Sequence, residues 1–323
     1  MSITDVVVIG DCNPDIVLKD DDATVEFGQH ETLFTHGGLT VGGSGSITAS
    51  ACARLGLHTA FIGTIGSDTF GDYMAVELAE RGVDITHCPR LVDAPTGFTV
   101  IVTRGPDRAI LTHLGAIKRL TIEHLPLDVL SAARHVHISS FFLLAELRPR
   151  LRSLLATLRS SGVSISLDTN WDPEQKWDDG LLAILELVDV FLPNAAEACA
   201  IAGTSDVERA VLALAETSSM VAAKLGSDGA LLAHAGTLYR EPGYPLTMVE
   251  TTGAGDAFNA GFLAGRLAGH PPTRCLQLAN AVGALSTQGV GAVAAQPTLE
   301  AAERLLRDRS RSAAARGTPT TEE

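Results

Sequence analysis

The chain has 323 residues, 46% of them hydrophobic, and a formal net charge of −14. That is enough apolar content for a large buried core, the acidic balance argues against an extended contact with a nucleic-acid backbone, and no apolar run is long enough to span a bilayer. Five scattered cysteines (Cys12, Cys52, Cys88, Cys199 and Cys275) form no Cys-x-x-Cys pair; with an N-terminus that runs straight into a strand without a leader, they predict free thiols and a cytoplasmic location.

Asp5–Gly10 is a short apolar run ending in glycine, the pattern of a buried parallel strand. Asp11-Cys12-Asn13-Pro14-Asp15 follows, at the edge where ligands of open α/β sheets collect, although Asn13 and Asp15 also suit plain turn chemistry. Residues 24–40 alternate polar and apolar, and so do the runs Thr96–Thr103 and Arg108–Leu114 around a Gly105-Pro106-Asp107 turn. Alternation predicts antiparallel strands with one exposed face. Two such insertions, at roughly 16–40 and 95–115, predict a small antiparallel sheet laid over a larger one. Arg108 opens the second strand of the hairpin and faces the cleft if Ile110 and Thr112 share its side; otherwise it is a solvated hairpin arginine.

Between the insertions, Val41-Gly-Gly-Ser-Gly-Ser-Ile47 is a glycine-rich loop opening a helix of small residues. It lacks the Gly-x-Gly-x-x-Gly register of a dinucleotide site. Phe61–Gly71 reads as strand and turn, with Asp68 in the turn. Apolar strands at Val136–Ser140, Val163–Asp168 and Val188–Asn194 then alternate with amphipathic helices at Arg148–Ser160 and Leu181–Leu187. This alternation implies right-handed crossovers and a mainly parallel sheet, with Asp168, Asn170, Asn194 and Glu197 facing one crevice. Asn194 and Glu197 also read as a helix cap with an acidic first turn. His135 and His137 alternate on a strand and have no third partner for a metal. Val221–Leu232 is a strand–turn–strand carrying Lys224, Gly226 and Gly229, and no P-loop occurs anywhere in the chain.

The stretch from Val249 to Phe262 runs from a strand end through Thr-Thr-Gly-Ala-Gly-Asp into a helix predicted to begin near Asp256. Glycines let a ligand approach the backbone, and the unpaired first-turn amides of a helix make an anion site. Asp256 is either an ordinary cap or a proton acceptor for an incoming hydroxyl, and phosphoryl transfer to an alcohol needs both an anion site and such a base. Beyond it, Ala257, Ala260, Gly261, Ala264 and Ala268 form a small-residue stripe suited to a close neighbour, the predicted helix Thr273–Thr287. From Arg307 the composition predicts a disordered tail.

Thr251–Phe258 resembles the C-terminal signature of the ribokinase-like (phosphofructokinase-B type) carbohydrate kinases, and Val41–Gly56 resembles their N-terminal signature. The resemblance covers about residues 3 to 300, with lesser motifs in the right order. It implies an α/β ribokinase-like fold, with a mainly parallel central sheet flanked by helices and a small antiparallel lid. The kinase domain would occupy 1–306 and the tail 307–323. In the implied division of roles Asp256 is the catalytic base, and the backbone of Gly253, Ala254 and Gly255 holds the transferring phosphoryl group. Asn13, Asp15, Gly42, Gly43 and Asp168 contact the acceptor, joined by Arg108 if the acceptor is anionic. Lys224, Gly226, Gly229 and Asn194 serve ATP, with Asn280 beside the adenine. Asn194 and Glu197 would position Mg2+, largely through water. Two positions depart from the pattern. Ile47 stands where the family usually has a substrate-binding Asn, leaving Ser44 or Ser46 to substitute. Glu250 stands where an Asp often helps hold K+. The expected activity is transfer of the γ-phosphoryl group of ATP to a carbohydrate or sugar acid. A nucleoside kinase is the alternative, which Ile47 would suit, and a non-catalytic sugar-binding relative is the remaining one. Exposed apolar residues such as Phe27, Leu33 and Phe34 predict a homodimer through the lid.

Overall fold

The computed structural model describes residues 4–22, 24, 25, 27–104 and 107–316. In chain order its elements are β1 (Val6–Ile9), β2 (Asn13–Lys19), β3 (His36–Gly42), α1 (Ser44–Arg54), β4 (Thr59–Ile62), β5 (Ile65–Gly66), α2 (Thr69–Glu80), β6 (Arg90–Leu91), β7 (Phe98–Arg104) and β8 (Asp107–His113). There follow α3 (Leu127–Ala132), β9 (His135–Ile138), α4 (Arg148–Ser160), β10 (Ser164–Leu167), α5 (Leu181–Leu185), β11 (Val190–Phe191), α6 (Ala195–Ala202) and α7 (Val207–Leu214). The chain continues through β12 (Met220–Lys224), β13 (Ala230–His234), β14 (Thr237–Glu241), α8 (Ala254–Leu267), α9 (Pro272–Ser286) and α10 (Leu299–Arg316).

Eight strands form the main sheet in the order β14-β13-β12-β11-β10-β9-β1-β4, parallel from β12 to β4 and antiparallel at the β13 and β14 edge. The continuous apolar run of β1 has a simple cause: Val7 and Ile9 enter the core on one face, Val6 and Val8 the core on the other. A strand covered on both faces has no polar side to display. β1 also lies where the strand order reverses, between β4 and β9, so its C-terminal edge opens onto the switch-point crevice.

The small sheet has the order β3-β2-β7-β8. Its two outer pairs are antiparallel hairpin-like ladders, while the central β2–β7 pair is parallel, from Asp15↔Thr99 to Lys19↔Thr103. The alternation expected over 24–40 is realised only from His36; residues 27–35 form no strand, and Gly28 and Gln29 have positive φ. Arg104 pairs with Asp107, so the hairpin is present, though Gly105 and Pro106 lie outside the described residues.

The small-residue stripe of α8 does find its neighbour in α9. A Cβ on Gly261 would fall 2.9 Å from the Ala279 Cα, and one on Gly265 would fall 3.1 Å from the Cys275 Cα. The C-terminal stretch differs from expectation: the chain from Arg307 to Arg316 continues α10. Leu305 and Leu306 pack on the core, Arg309 is ion-paired, and Ala313–Ala315 are strong helix formers. Residues 317–323 lie outside the described residues. Among the described residues no helix is long and apolar enough to cross a membrane, and all five cysteines are free.

Candidate active site

A cavity of about 950 Å³ opens over the C-terminal edge of the main sheet, between it and the small sheet. Its first wall is built where β2 begins. Asn13 pairs in register with Gly42 of β3, and the Asn13 amide nitrogen donates to Asp15 Oδ1 at 3.1 Å and to Thr99 Oγ1 at 3.2 Å. Asp15 lies directly over Gly42: a Cβ there would be 1.9 Å from Asp15 Oδ1. Gly43 turns the chain at φ 78° into α1. Asp11, expected at the ligand edge but given no role of its own, accepts the Ser44 and Gly45 amides at 3.0 and 2.8 Å and so fixes the start of α1. Burial, reinforced by the charge of Asp11, pushes the Asp15 carboxyl up to about 7. Asn13, Asp15 and Gly43 line the cavity, while Gly42 serves as the floor beneath Asp15.

The lid contributes β8. Because side chains alternate along a strand, Arg108, Ile110 and Thr112 share one face, and all three line the cavity. Arg108 Nη1 donates to Thr252 Oγ1 at 3.0 Å, one residue before Gly253. Ile47 is buried and also lines the cavity. Of the two serines considered as replacements for an Asn there, Ser46 is spent on the Gly42 and Gly43 carbonyls. Ser44 donates instead to Asp256 Oδ1.

The opposite wall is the start of α8. Gly253 takes the left-handed conformation, φ 74°, packed so closely on Ala292 that a Cβ would come within 2.8 Å of the Ala292 Cβ. The helix begins at Ala254, two residues earlier than expected, because the Gly253 carbonyl already accepts the Ala257 amide. Gly253 offers no side-chain cap; the Ala254 amide donates to the Thr251 carbonyl at 3.2 Å, and Ala254, Gly255 and Asp256 line the cavity with the positive end of the helix dipole behind them. Asp256 keeps part of its surface open to the cavity. Burial and then the charge of Asp168 push its carboxyl well above the usual range, against the pull of Ser44 and Lys224.

Lys224, at the end of β12, lies along this loop, 3.5 Å from the place a Gly255 Cβ would take to its Cδ. Its ammonium donates to Asp168 Oδ2 at 2.7 Å and to Asn259 Oδ1 at 3.2 Å, and Asn259 closes the triangle by donating to Asp168 at 2.9 Å. Burial works to raise the Asp168 carboxyl, but the Lys224 ammonium overcomes it and holds Asp168 below its ordinary value. Asp168 lines the cavity, yet its oxygens are committed to this network and to the Asn170 amide at 2.9 Å. Asn259 was not singled out from the sequence; its place three residues after Asp256, on the same helical face, was the available signal.

Beyond Lys224, Asn194 caps α6. Its Oδ1 accepts the Glu197 amide at 2.9 Å, and Glu197 Oε2 accepts the Asn194 amide at 2.9 Å. Burial and then the charge of Asp168 push Glu197 up to about 7. Among the described residues no group of three or more His, Cys, Asp or Glu side chains is arranged to hold a metal. A buried carboxylate raised by a second one is nonetheless what a hydrated divalent cation would relieve, and Mg2+ keeps its waters and needs few protein ligands. His137 and His135 share Ser166 Oγ, each at 2.7 Å, and burial holds both imidazoles neutral, His137 at about 4. Gly226 and Gly229 turn at φ 60° and 96°, and a Cβ on Gly229 would strike the Glu241 carbonyl at 2.0 Å. Asn280 reaches the cavity but donates to the Pro242 carbonyl at 2.9 Å. Glu250 stands apart from the cavity lining: its Oε2 accepts the Gly291 amide at 2.8 Å, tying down the segment that supports Gly253.

Comparison with known proteins agrees with this fold. Residues 3–299 match the pfkB family carbohydrate kinase. A 2-dehydro-3-deoxygluconokinase of Bacillus subtilis is 31% identical over 84% of this chain and 88% of its own length. A fructokinase of Klebsiella pneumoniae is 31% identical over 82% of this chain and 91% of its own. A protein of E. coli described as a ribokinase II, solved with ATP and Mg2+, superposes with a TM-score of 0.84 at 28% identity, over 94% of this chain and 99% of that one. Relatives with these names do not favour the nucleoside kinase alternative.

Proposed function

The chain belongs to the pfkB family of carbohydrate kinases, and on that premise we propose that Asp256 takes the proton of a sugar hydroxyl while Lys224 and the first amides of α8 hold the γ-phosphoryl group of ATP. It is an ATP-dependent phosphotransferase with an alcohol acceptor. The observation that carries the assignment of roles is a carboxylate placed at an uncapped helix N-terminus with an ammonium alongside. Amides and ammonium stabilise charge on the transferring group and cost no reorganisation. A carboxyl raised by burial is, once ionised, a stronger base than an exposed one, which suits it to take the hydroxyl proton.

The acceptor lies between Asn13, Asp15 and Gly43 on one side and Asp256 on the other. Ile47, Ile101, Ile110 and Leu143 give this end an apolar lining, against which the carbon face of a sugar packs. Arg108 is the acceptor's charge partner, favouring a carboxylate-bearing sugar acid over a neutral sugar. Asn194 and Glu197 would hold Mg2+ through water, and the bound ion would supply charge neutralisation at the phosphates of ATP. Glu250 is the candidate ligand of a monovalent cation, checked by comparing activity with and without K+. The five free thiols fit a cytoplasmic protein. The outer lid face carries Ile16, Leu39, Val100 and Leu111 in register, and Phe27 and Leu33 nearby are 99% and 79% exposed. A second copy covers this face, which sedimentation at micromolar concentration tests.

Hexoses, pentoses, sugar acids and nucleosides assayed with coupled ADP detection test the activity, the sugar acids being expected to give the highest kcat/KM. Arg108→Ala should raise KM for the acceptor about tenfold or more with little change in KM for ATP. Unchanged acceptor kinetics would remove the case for an anionic acceptor.

A further inference from the structure

We propose that Arg309, on the C-terminal helix α10, is a positioning residue for the base of the nucleotide. The inference rests on the ATP-dependent reading above. In-line transfer places the acceptor and the leaving oxygen on opposite sides of the phosphoryl group. With the acceptor on the lid side, the nucleotide extends into the arm of the cavity lined by Gly229, Tyr244, Asn280, Gly283 and Thr287.

One wall of that arm is the segment after β14, from Pro242 to Leu246, which has left the sheet and carries no ladder of its own. Two helices hold it. Asn280 of α9 donates to the Pro242 carbonyl at 2.9 Å. Arg309 of α10 donates to the same carbonyl at 3.1 Å, pairs with Glu241 Oε1 at 2.7 Å, and sets its guanidinium 4.7 Å from the centre of the Tyr244 ring. The segment in turn backs the Gly226–Gly229 turn: a Cβ on Gly243 would strike the Ser227 carbonyl at 1.9 Å. Three contacts of one guanidinium therefore brace, together with Asn280, a wall that has no secondary structure of its own, and a cation over an aromatic ring is among the stronger contacts available at a part-buried site. Loss of Arg309 loosens the wall at the base and leaves the anion site at α8 untouched.

The test is binding of ADP and of inorganic tripolyphosphate, each with Mg2+, to the full-length protein and its variants. Arg309→Ala should weaken ADP roughly tenfold, of the order of one lost cation–π and ion-pair contact, and leave tripolyphosphate unchanged. Arg309→Lys should recover part of the loss, and Arg304→Ala, whose guanidinium pairs with Glu300 on the exposed side of the same helix, should bind both ligands normally. Should Arg309→Ala fail to fold, Tyr244→Leu removes the ring and keeps the two other contacts, and the same split between ADP and tripolyphosphate is expected. Unchanged ADP affinity, or equal weakening of both ligands, overturns the proposal. A wild-type protein that binds neither ligand overturns the ATP reading itself, and no variant is needed to see it.

Discussion

Two helices begin on the same cavity, and each carries an acidic residue at its third position. In α6 that residue, Glu197, folds back onto the Asn194 amide while Asn194 Oδ1 takes the Glu197 amide, and the helix start closes on itself. In α8 the corresponding residue is Asp256, but the cap is Gly253, left-handed and without a side chain to offer, and the carboxylate turns to Ser44 across the cleft. The difference lies in the capping residue and not in the acid. An acidic third residue is absorbed into structure where its cap can answer it, and is released for chemistry where the cap is glycine.

The sharpest way to break this comparison is to change the α8 acid first and then one partner of each acid. Asp256→Asn is expected to lower kcat by ~10²–10⁴-fold, the usual scale of general-base catalysis, with ADP binding kept. A variant retaining more than a tenth of wild-type kcat would return Asp256 to the role of an ordinary cap. Asn194→Ala should, besides weakening the proposed Mg2+ site, act on stability, lowering the unfolding free energy by about 1 kcal/mol in urea denaturation because a helix cap is lost. No loss there would mean that the reciprocal α6 start is not structural. The smallest effect belongs to Ser44→Ala. The Ser44 hydroxyl favours the ionised carboxylate, so removing it raises the Asp256 pKa further. The active form is deprotonated, so activity falls as pH drops through that pKa. The acid limb of kcat/KM should therefore move to higher pH, and a shift the other way, or none, would separate Ser44 from the base.

Much of this was readable before any coordinates. The parallel strands announce themselves: β1 is buried on both faces and carries only apolar residues, and β4, equally buried, is apolar after Thr59. The glycines at 43, 226, 229 and 253 mark turns with positive φ, which few other residues adopt. Pairings across long stretches of sequence were not readable. Ser44 meets Asp256 over 212 positions, and Lys224 meets Asp168 over 56. The strand-end position of Asp168 puts it at the crevice and the resemblance makes it an acceptor ligand, but its buried ion pair with Lys224 leaves no mark in the local sequence. Arg307–Arg316 was read as disordered on composition alone, yet the Arg309 partner, Glu241, lies 68 positions upstream. Compositional rules see a charged tail and have no means to see the carboxylate waiting for it.

The parallel β2–β7 seam described above has a kinetic consequence. The lid is made of two chain segments about 80 residues apart, stitched by main-chain hydrogen bonds from Asp15↔Thr99 to Lys19↔Thr103. Neither segment can swing without tearing that ladder, so the small sheet travels as one plate. On the proposed assignment of Asp15 on β2 and Arg108 on β8 to the acceptor, both reach it in the same event, and its capture should register in rapid mixing as a single phase.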